Sequence, residues 1–173
     1  SSSESTANGY RTQATGAYST AMGGESVASG AGSTAVGQRA QANGDASTVL
    51  GHQGSAEAQG TAIGDSAHAS GKATAIGNKA QANGWASVAQ GDGATANGAN
   101  DIAIGPQAVA GVDGENNGNN TAVGALSQAT GSQSSAFGQS AKATGSQSTA
   151  IGVNTSATGA NSVALGAGSV ATE

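Results

Sequence analysis

The sequence has no cysteine, one proline, one Phe, one Trp and two Tyr in 173 residues, and its charged residues amount to 9%. Each shortage excludes something. Without cysteine there is neither a disulfide framework nor a thiolate metal site. A single proline, with glycine abundant but not at every third residue, excludes collagen. Five Lys+Arg scattered under a net charge of −5, with a pI near 4.7, argue against a nucleic-acid partner. No apolar run reaches the ~20 residues of a membrane span. No basic segment followed by an apolar one opens the chain as a secretory signal.

Bulk is also scarce. Hydrophobic residues make up 36%, but 39 of them are alanine; Val, Ile, Leu and Phe together number only 19. Burying a large aliphatic side chain contributes roughly 1.5–3 kcal/mol. Ordering the backbone costs roughly 1–2 kcal/mol per residue. A conventional globular core is therefore excluded. The chain is either disordered, or it folds by regular backbone pairing with help from further copies of itself.

What the sequence does have is a repeat. A glycine column runs through Gly9, Gly23, Gly37, Gly51, Gly64, Gly77, Gly91, Gly105, Gly124, Gly138, Gly152 and Gly166. The spacing is 14 residues except for two of 13, between Gly51 and Gly77, and one of 19, between Gly105 and Gly124. With that glycine at position 5 the consensus is S-T-A-I-G-x-x-A-x-A-x-G-x-x. Position 3 is alanine except for Val49, and position 2 is Thr, Ser, Val or Ile. A second glycine column at position 12 includes Gly16, Gly30, Gly44, Gly71, Gly84, Gly98, Gly131, Gly145 and Gly159.

Within a unit the side chains alternate with period 2, and Thr, Val and Ile are enriched, which reads as strand. Both glycine columns are expected to supply turns, since glycine tolerates φ > 0. Each unit then makes two short strands and two tight turns, one coil of a β-solenoid. At strand spacing, about twelve coils would stack into a rod of roughly 55–60 Å.

A coil this flat has no room for large side chains, so positions 3, 8 and 10 face inward and are small. The bulky position 4 points outward: Met22, Val36, Leu50, Ile63, Ile76, Gln90, Ile104, Val123, Phe137, Ile151 and Leu165, with Asn8 at the frayed end. An exposed apolar stripe of this length marks an interface. We expect a homo-oligomer with position 4 at its axis and position 2 at the edge. Gln90 reads as a register device in that column. Arg11, Glu25, Arg39, Asp45, Asp65, Lys72, Lys79 and Asp92 fall in turns, and Glu57, His68 and Lys142 point outward. No charge falls at positions 2, 3, 4, 8 or 10.

The units Asn161-Ser162-Val163-Ala164-Leu165-Gly166, Ser148-Thr149-Ala150-Ile151-Gly152 and Asp101-Ile102-Ala103-Ile104-Gly105 resemble the head motif of trimeric autotransporter adhesins, the YadA-like head with its haemagglutinin-type repeats. The resemblance spans residues 1–173 as one head-repeat domain. It implies an all-β fold, a single-stranded left-handed parallel β-roll assembled as a homotrimer. It also implies a non-catalytic passenger on the outer surface of Gram-negative bacteria, attaching to host matrix, host cells or other bacteria. No neck, heptad stalk or membrane anchor is evident, and the end at Glu173 falls inside a unit. An excised head fragment is therefore expected, whose membrane link would lie in an anchor outside it.

The long unit carries an insertion over 111–119. Asp113, Glu115, Asn117 and Gly118 echo the start of a calcium loop, but the twelfth position falls on Gly124, where a bidentate Glu is needed. The insertion reads first as a solvated excursion and second as a partner-contact loop through Asp113, Glu115 and Asn117. Trp85, Tyr10 and Tyr18 read as turn residues, with Trp85 the better candidate for partner contact. His52 and His68 lack a second ligand at zinc spacing. No catalytic constellation or phosphate loop occurs, so no cofactor, metal or catalytic residue is assigned. Two sequons, at Asn119 and Asn154, carry no weight in a bacterial protein.

Two other functions stay open at this point. A hexapeptide-repeat enzyme would repeat in sixes. An ice-binding solenoid would use Thr20, Thr34, Thr48, Thr61 and Thr74, although the ladder breaks at Val88 and Ile102.

Overall fold

The computed structural model describes residues 4–114 and 118–172. The chain forms two compact units, residues 1–80 and 81–173. Each is an all-parallel β-solenoid, and together they hold about twelve coils. In the first unit, three-residue strands at positions 2–4 stack in the order Thr6–Asn8, Thr20–Met22, Thr34–Val36, Thr48–Leu50, Thr61–Ile63 and Thr74–Ile76. Behind them stack the two-residue strands Gln13–Ala14, Val27–Ala28, Gln41–Ala42, Ser55–Ala56 and His68–Ala69. The second unit repeats this with Val88–Gln90, Ile102–Ile104, Thr121–Val123, Ser135–Phe137, Thr149–Ile151 and Val163–Leu165. Its second sheet runs from Gln81–Ala82 to Val170–Ala171.

Register is strict. Ala21 lies beside Ala35, Ala35 beside Val49, and Ala122 beside Ala136. The reason is the pleat: a slip of one residue would exchange inward alanine for outward Thr or Ile. Position 3 is buried from Ala21 onward, and so are most side chains at positions 8 and 10, such as Ala40, Ala42, Ala94 and Ala96. The inward assignment of these three columns holds.

The interior has one more column than expected. Position 1 is buried as well, through Ser19, Ser33, Ser47, Ser87, Asp101, Asn120, Ser134, Ser148 and Ser162. Short hydroxyls suit it because they can turn back on the corner. Ser19, Ser47 and Ser162 donate to the carbonyls of Gly16, Gly44 and Gly159 at 2.7, 2.6 and 2.8 Å. The rule that charges stay in turns or outside therefore has an exception in Asp101.

Both glycine columns abut the carbonyls of the next coil, and they differ in backbone conformation. Position 5 does adopt φ > 0, for example +133° at Gly37. Position 12 does not, which corrects the expectation from sequence. The left-handed corners are positions 7 and 14, held largely by ordinary residues such as Arg39 (φ 58°), Ala46 (φ 54°) and Leu126 (φ 60°). These are the third residues of turns closed by bonds such as Ala40 N–H to Gly37 O, a place where φ > 0 is required. Position 12 needs glycine for space: a β-carbon on Gly30 would coincide with the carbonyl of Gly44 in the next coil.

The 13-residue coils lose a residue before this corner. The Ala73 amide donates to Ser70, and Gly60 donates to Glu57, as Ser47 does to Gly44. Ser70 rather than Gly71 therefore stands at position 12, and Glu57 occupies the same place one coil earlier. The proline, Pro106, sits at position 6, between the ladder amides of Gly105 and Gln107, where no N–H is used.

Candidate functional site

Alternation along the three-residue strands turns positions 2 and 4 outward together, on the face opposite position 9. In the first unit Met22, Val36, Leu50, Ile63 and Ile76 are consecutive partners across the sheet. In the second, Gln90, Ile104, Val123, Phe137, Ile151 and Leu165 are. Met22 is 42% exposed, Leu50 49%, Phe137 40% and Leu165 71%; Val36, Ile63, Ile104 and Val123 are half-buried. Contiguous apolar surface of this kind is unusual on a soluble monomer. Gln90 is exposed within its column, and Asn8 is exposed in the first coil. The threonine ladder Thr20, Thr34, Thr48, Thr61 and Thr74 runs in register beside the apolar one.

The remaining candidates are dispersed. Trp85 (56% exposed) and Tyr18 (65%) occupy position-12-to-1 corners, whereas Tyr10 (68%) is at position 6, where the Arg11 guanidinium carbon lies 5.1 Å from its ring centroid. Asp113 is exposed, and Glu115 and Asn117 lie outside the described residues. His52 Nδ1 meets Asp65 at 3.1 Å, and His68 Nδ1 meets the Ser55 hydroxyl at 2.8 Å. Hydrogen bonds from Ser66 first, and then from His52, hold the Asp65 carboxyl below its ordinary value. Among the described residues no group of three His, Cys, Asp or Glu is placed to hold a metal ion.

The residue that sequence reasoning missed is Asp101. The insertion replaces the ordinary corner at the end of the Asp101 coil, so among the described residues the Asn120 amide has no turn carbonyl of the kind that Ser19 and Ser47 use three residues back. Asp101 supplies replacements: Oδ2 accepts from Gly98 N–H at 2.7 Å, and Oδ1 from Asn120 N–H at 2.8 Å and Asn120 Nδ2 at 3.2 Å. Asn120 Oδ1 in turn accepts the Ser134 amide at 3.0 Å. Burial raises the Asp101 carboxyl above the ordinary carboxylate value, against the pull of these donors. Gly111 (φ 75°) comes so close that a β-carbon there would overlap Oδ2. The signal was present in the sequence as Asp and Asn at position 1 on either side of the long unit, where other coils carry Ser, Ala or Gly.

The family model of the YadA head domain repeat (2 copies) matches residues 1–26, 28–53, 58–72, 72–84, 86–108, 121–141 and 143–169. The unmatched stretch 109–120 contains the insertion. No curated protein matches the chain. With its parallel coils, its position-5 glycines and a family match over most of its length, the chain belongs to the YadA head-repeat family and is a non-catalytic adhesin head.

Proposed function

We propose that this head works as a homotrimer of left-handed coils. The position-4 residues Met22, Val36, Leu50, Ile63, Ile76, Gln90, Ile104, Val123, Phe137, Ile151 and Leu165 would line the threefold interface, with Gln90 setting register. The observation that carries this reading is the in-register apolar column left half-exposed by each chain. Three chains meeting on it would remove that surface from water at roughly 25 cal/mol per Å². They would also supply the burial that the alanine-filled interior lacks.

The trimer is displayed on the outer surface of a Gram-negative cell, anchored through a segment beyond this one. It attaches the cell to host matrix, host cells or its own kind. The opposite face and the corners, rich in Gln, Asn, Ser and Thr, remain free for repeated weak contacts that three chains multiply. Trp85 and Asp113 are contact points favoured by exposure, and Glu115 and Asn117 of the 111–119 loop join them on chemistry alone. Light scattering after gel filtration should give three times 16.0 kDa. The same sample should bind immobilised matrix proteins or host cells. A trimer that binds neither, and does not agglutinate cells displaying it, counts against adhesion by this segment.

A further inference from the structure

The outward face opposite position 4 carries a groove of about 490 Å³ that spans three successive coils of the second unit. Its sides are the position-7 corner residues Leu126, Ser140 and Asn154 and the position-9 residues Gln128, Lys142 and Ser156. Gln128, Lys142 and Ser156 are direct neighbours across the sheet.

Two of these residues break the rules that govern the rest of the chain. Leu126 is the only large apolar residue at position 7, a column otherwise filled by residues such as Arg39, Gln53, Lys79 and Asn154. It is held at φ 60°, which disfavours a branched side chain, and yet it is 46% exposed, so packing does not compensate for the strain. Lys142 is the only Lys or Arg in residues 81–173, and it makes no ion pair among the described residues. Among the described residues no acidic side chain lines the groove. A strained, exposed apolar side chain and a lone cation facing one trough of amides and hydroxyls have no structural purpose in common.

We propose that this groove binds a carboxylated pyranose, a uronate or sialate unit of a saccharide. The sugar carboxylate pairs with the Lys142 ammonium. Ring hydroxyls, which both donate and accept, exchange hydrogen bonds with the Gln128 and Asn154 amides and the Ser140 and Ser156 hydroxyls. The apolar C–H face of the ring lies on Leu126. An extended acidic peptide fits less well, because Lys142–Ala143 is already paired on both sides and leaves no strand edge to extend. One exposed ion pair gives weak binding at a single site, and repetition across copies would provide the strength. The inference names a ligand class within the adhesin reading, but the groove belongs to one chain and does not depend on trimer formation.

Saturation-transfer NMR on the 173-residue chain tests it, with methyl β-glucuronide and methyl α-N-acetylneuraminide as acid arms and methyl β-glucoside as the neutral control. Saturable transfer from at least one acid sugar is expected, strongest at its C–H face, with the glucoside far weaker. Lys142→Gln should weaken binding about fivefold or more. Leu126→Asn relieves the left-handed strain, so it should raise Tm by about 2–4 °C while removing transfer to the C–H face. No saturable signal from either acid, equal binding of the glucoside, or unchanged affinity in Lys142→Gln overturns the proposal. So does a fall in Tm for Leu126→Asn with sugar contact retained. Matrix attachment measured in parallel separates the two readings: its loss with sugar binding intact counts against adhesion alone, and the reverse counts against the groove alone.

Discussion

Val49 and Gly54 trade volume across the inside of one coil. The Val49 Cγ1 methyl stands 2.9 Å from the point where a β-carbon on Gly54 would sit. Val49 is the one position-3 residue that is not alanine, and Gly54 stands at position 8, where other coils carry Ala, Ser or Thr. Val49 is fully buried. Gly54→Ala should destabilise by about 1–3 kcal/mol through overpacking, and Val49→Ala by a similar amount through the space it leaves. The double variant restores the arrangement of the other coils and should cost at least 0.5 kcal/mol less than the sum of the two, a coupling readable by urea denaturation.

Three glycines distinguish backbone freedom from lack of space. Gly24 has ordinary φ and open surroundings, so Gly24→Ala should stabilise by about 0.4–1 kcal/mol. Gly32 has open surroundings but φ +65°, and Gly32→Ala should cost about 1 kcal/mol. Gly30 has ordinary φ but abuts the Gly44 carbonyl, and Gly30→Ala should be the worst of the three, with loss of the cooperative transition. Thermal melts of the series check the ranking, and a mild Gly30→Ala would contradict the assigned corner.

Asp101 should reveal itself through pH. Its folded pKa lies above the ordinary carboxylate value of 3.8, so the folded chain binds the proton first. This group alone therefore makes stability rise as pH falls through its raised pKa toward 3.8. Asp101→Asn turns a donor toward amides that need an acceptor and should cost about 1–3 kcal/mol. The deficit relative to wild type should grow on acidification, because only wild type takes up the proton. Urea midpoints at pH 7 and pH 4 measure this, and hydrogen exchange at Gly98 and Asn120 localises it.

For assembly, Ile76→Asp with Ile104→Asp places charge in the apolar column of each unit. If that column is a dry axis, the double variant should fall to monomers or fail to fold. A variant of unchanged molar mass and heat stability would show that the column faces water.

Much of this fold was legible because a repeat multiplies a weak signal. One S-T-A-I-G is a short motif, but twelve glycines in a column fix the coil length, the strand class and the inward alanines at positions 3, 8 and 10. The outward direction of Met22, Leu50, Phe137 and Ile151 followed from period-2 alternation alone. Less legible was anything set by contact between coils. Gly30 and Gly37 look alike in sequence, yet Gly30 is glycine only for its neighbour's carbonyl, whereas Gly37 combines the same crowding, against the Gly51 carbonyl, with a φ of +133°. The left-handed residues Arg39 and Leu126 carry no turn signature, because the ladder above and below imposes their conformation.

Asp101 marks the boundary between what sequence and structure each decide. As a string of residues it reads as a small polar variant in a serine column, and the insertion after Gly111 reads as an unrelated loop. Only stacking brings the broken amides of Gly98 and Asn120 to a single carboxylate. Local pattern determines which side chains turn inward, because alternation is a property of the strand. Which unpaired donors meet an acceptor is decided by the register of neighbouring coils, through space, across a 19-residue separation in the chain.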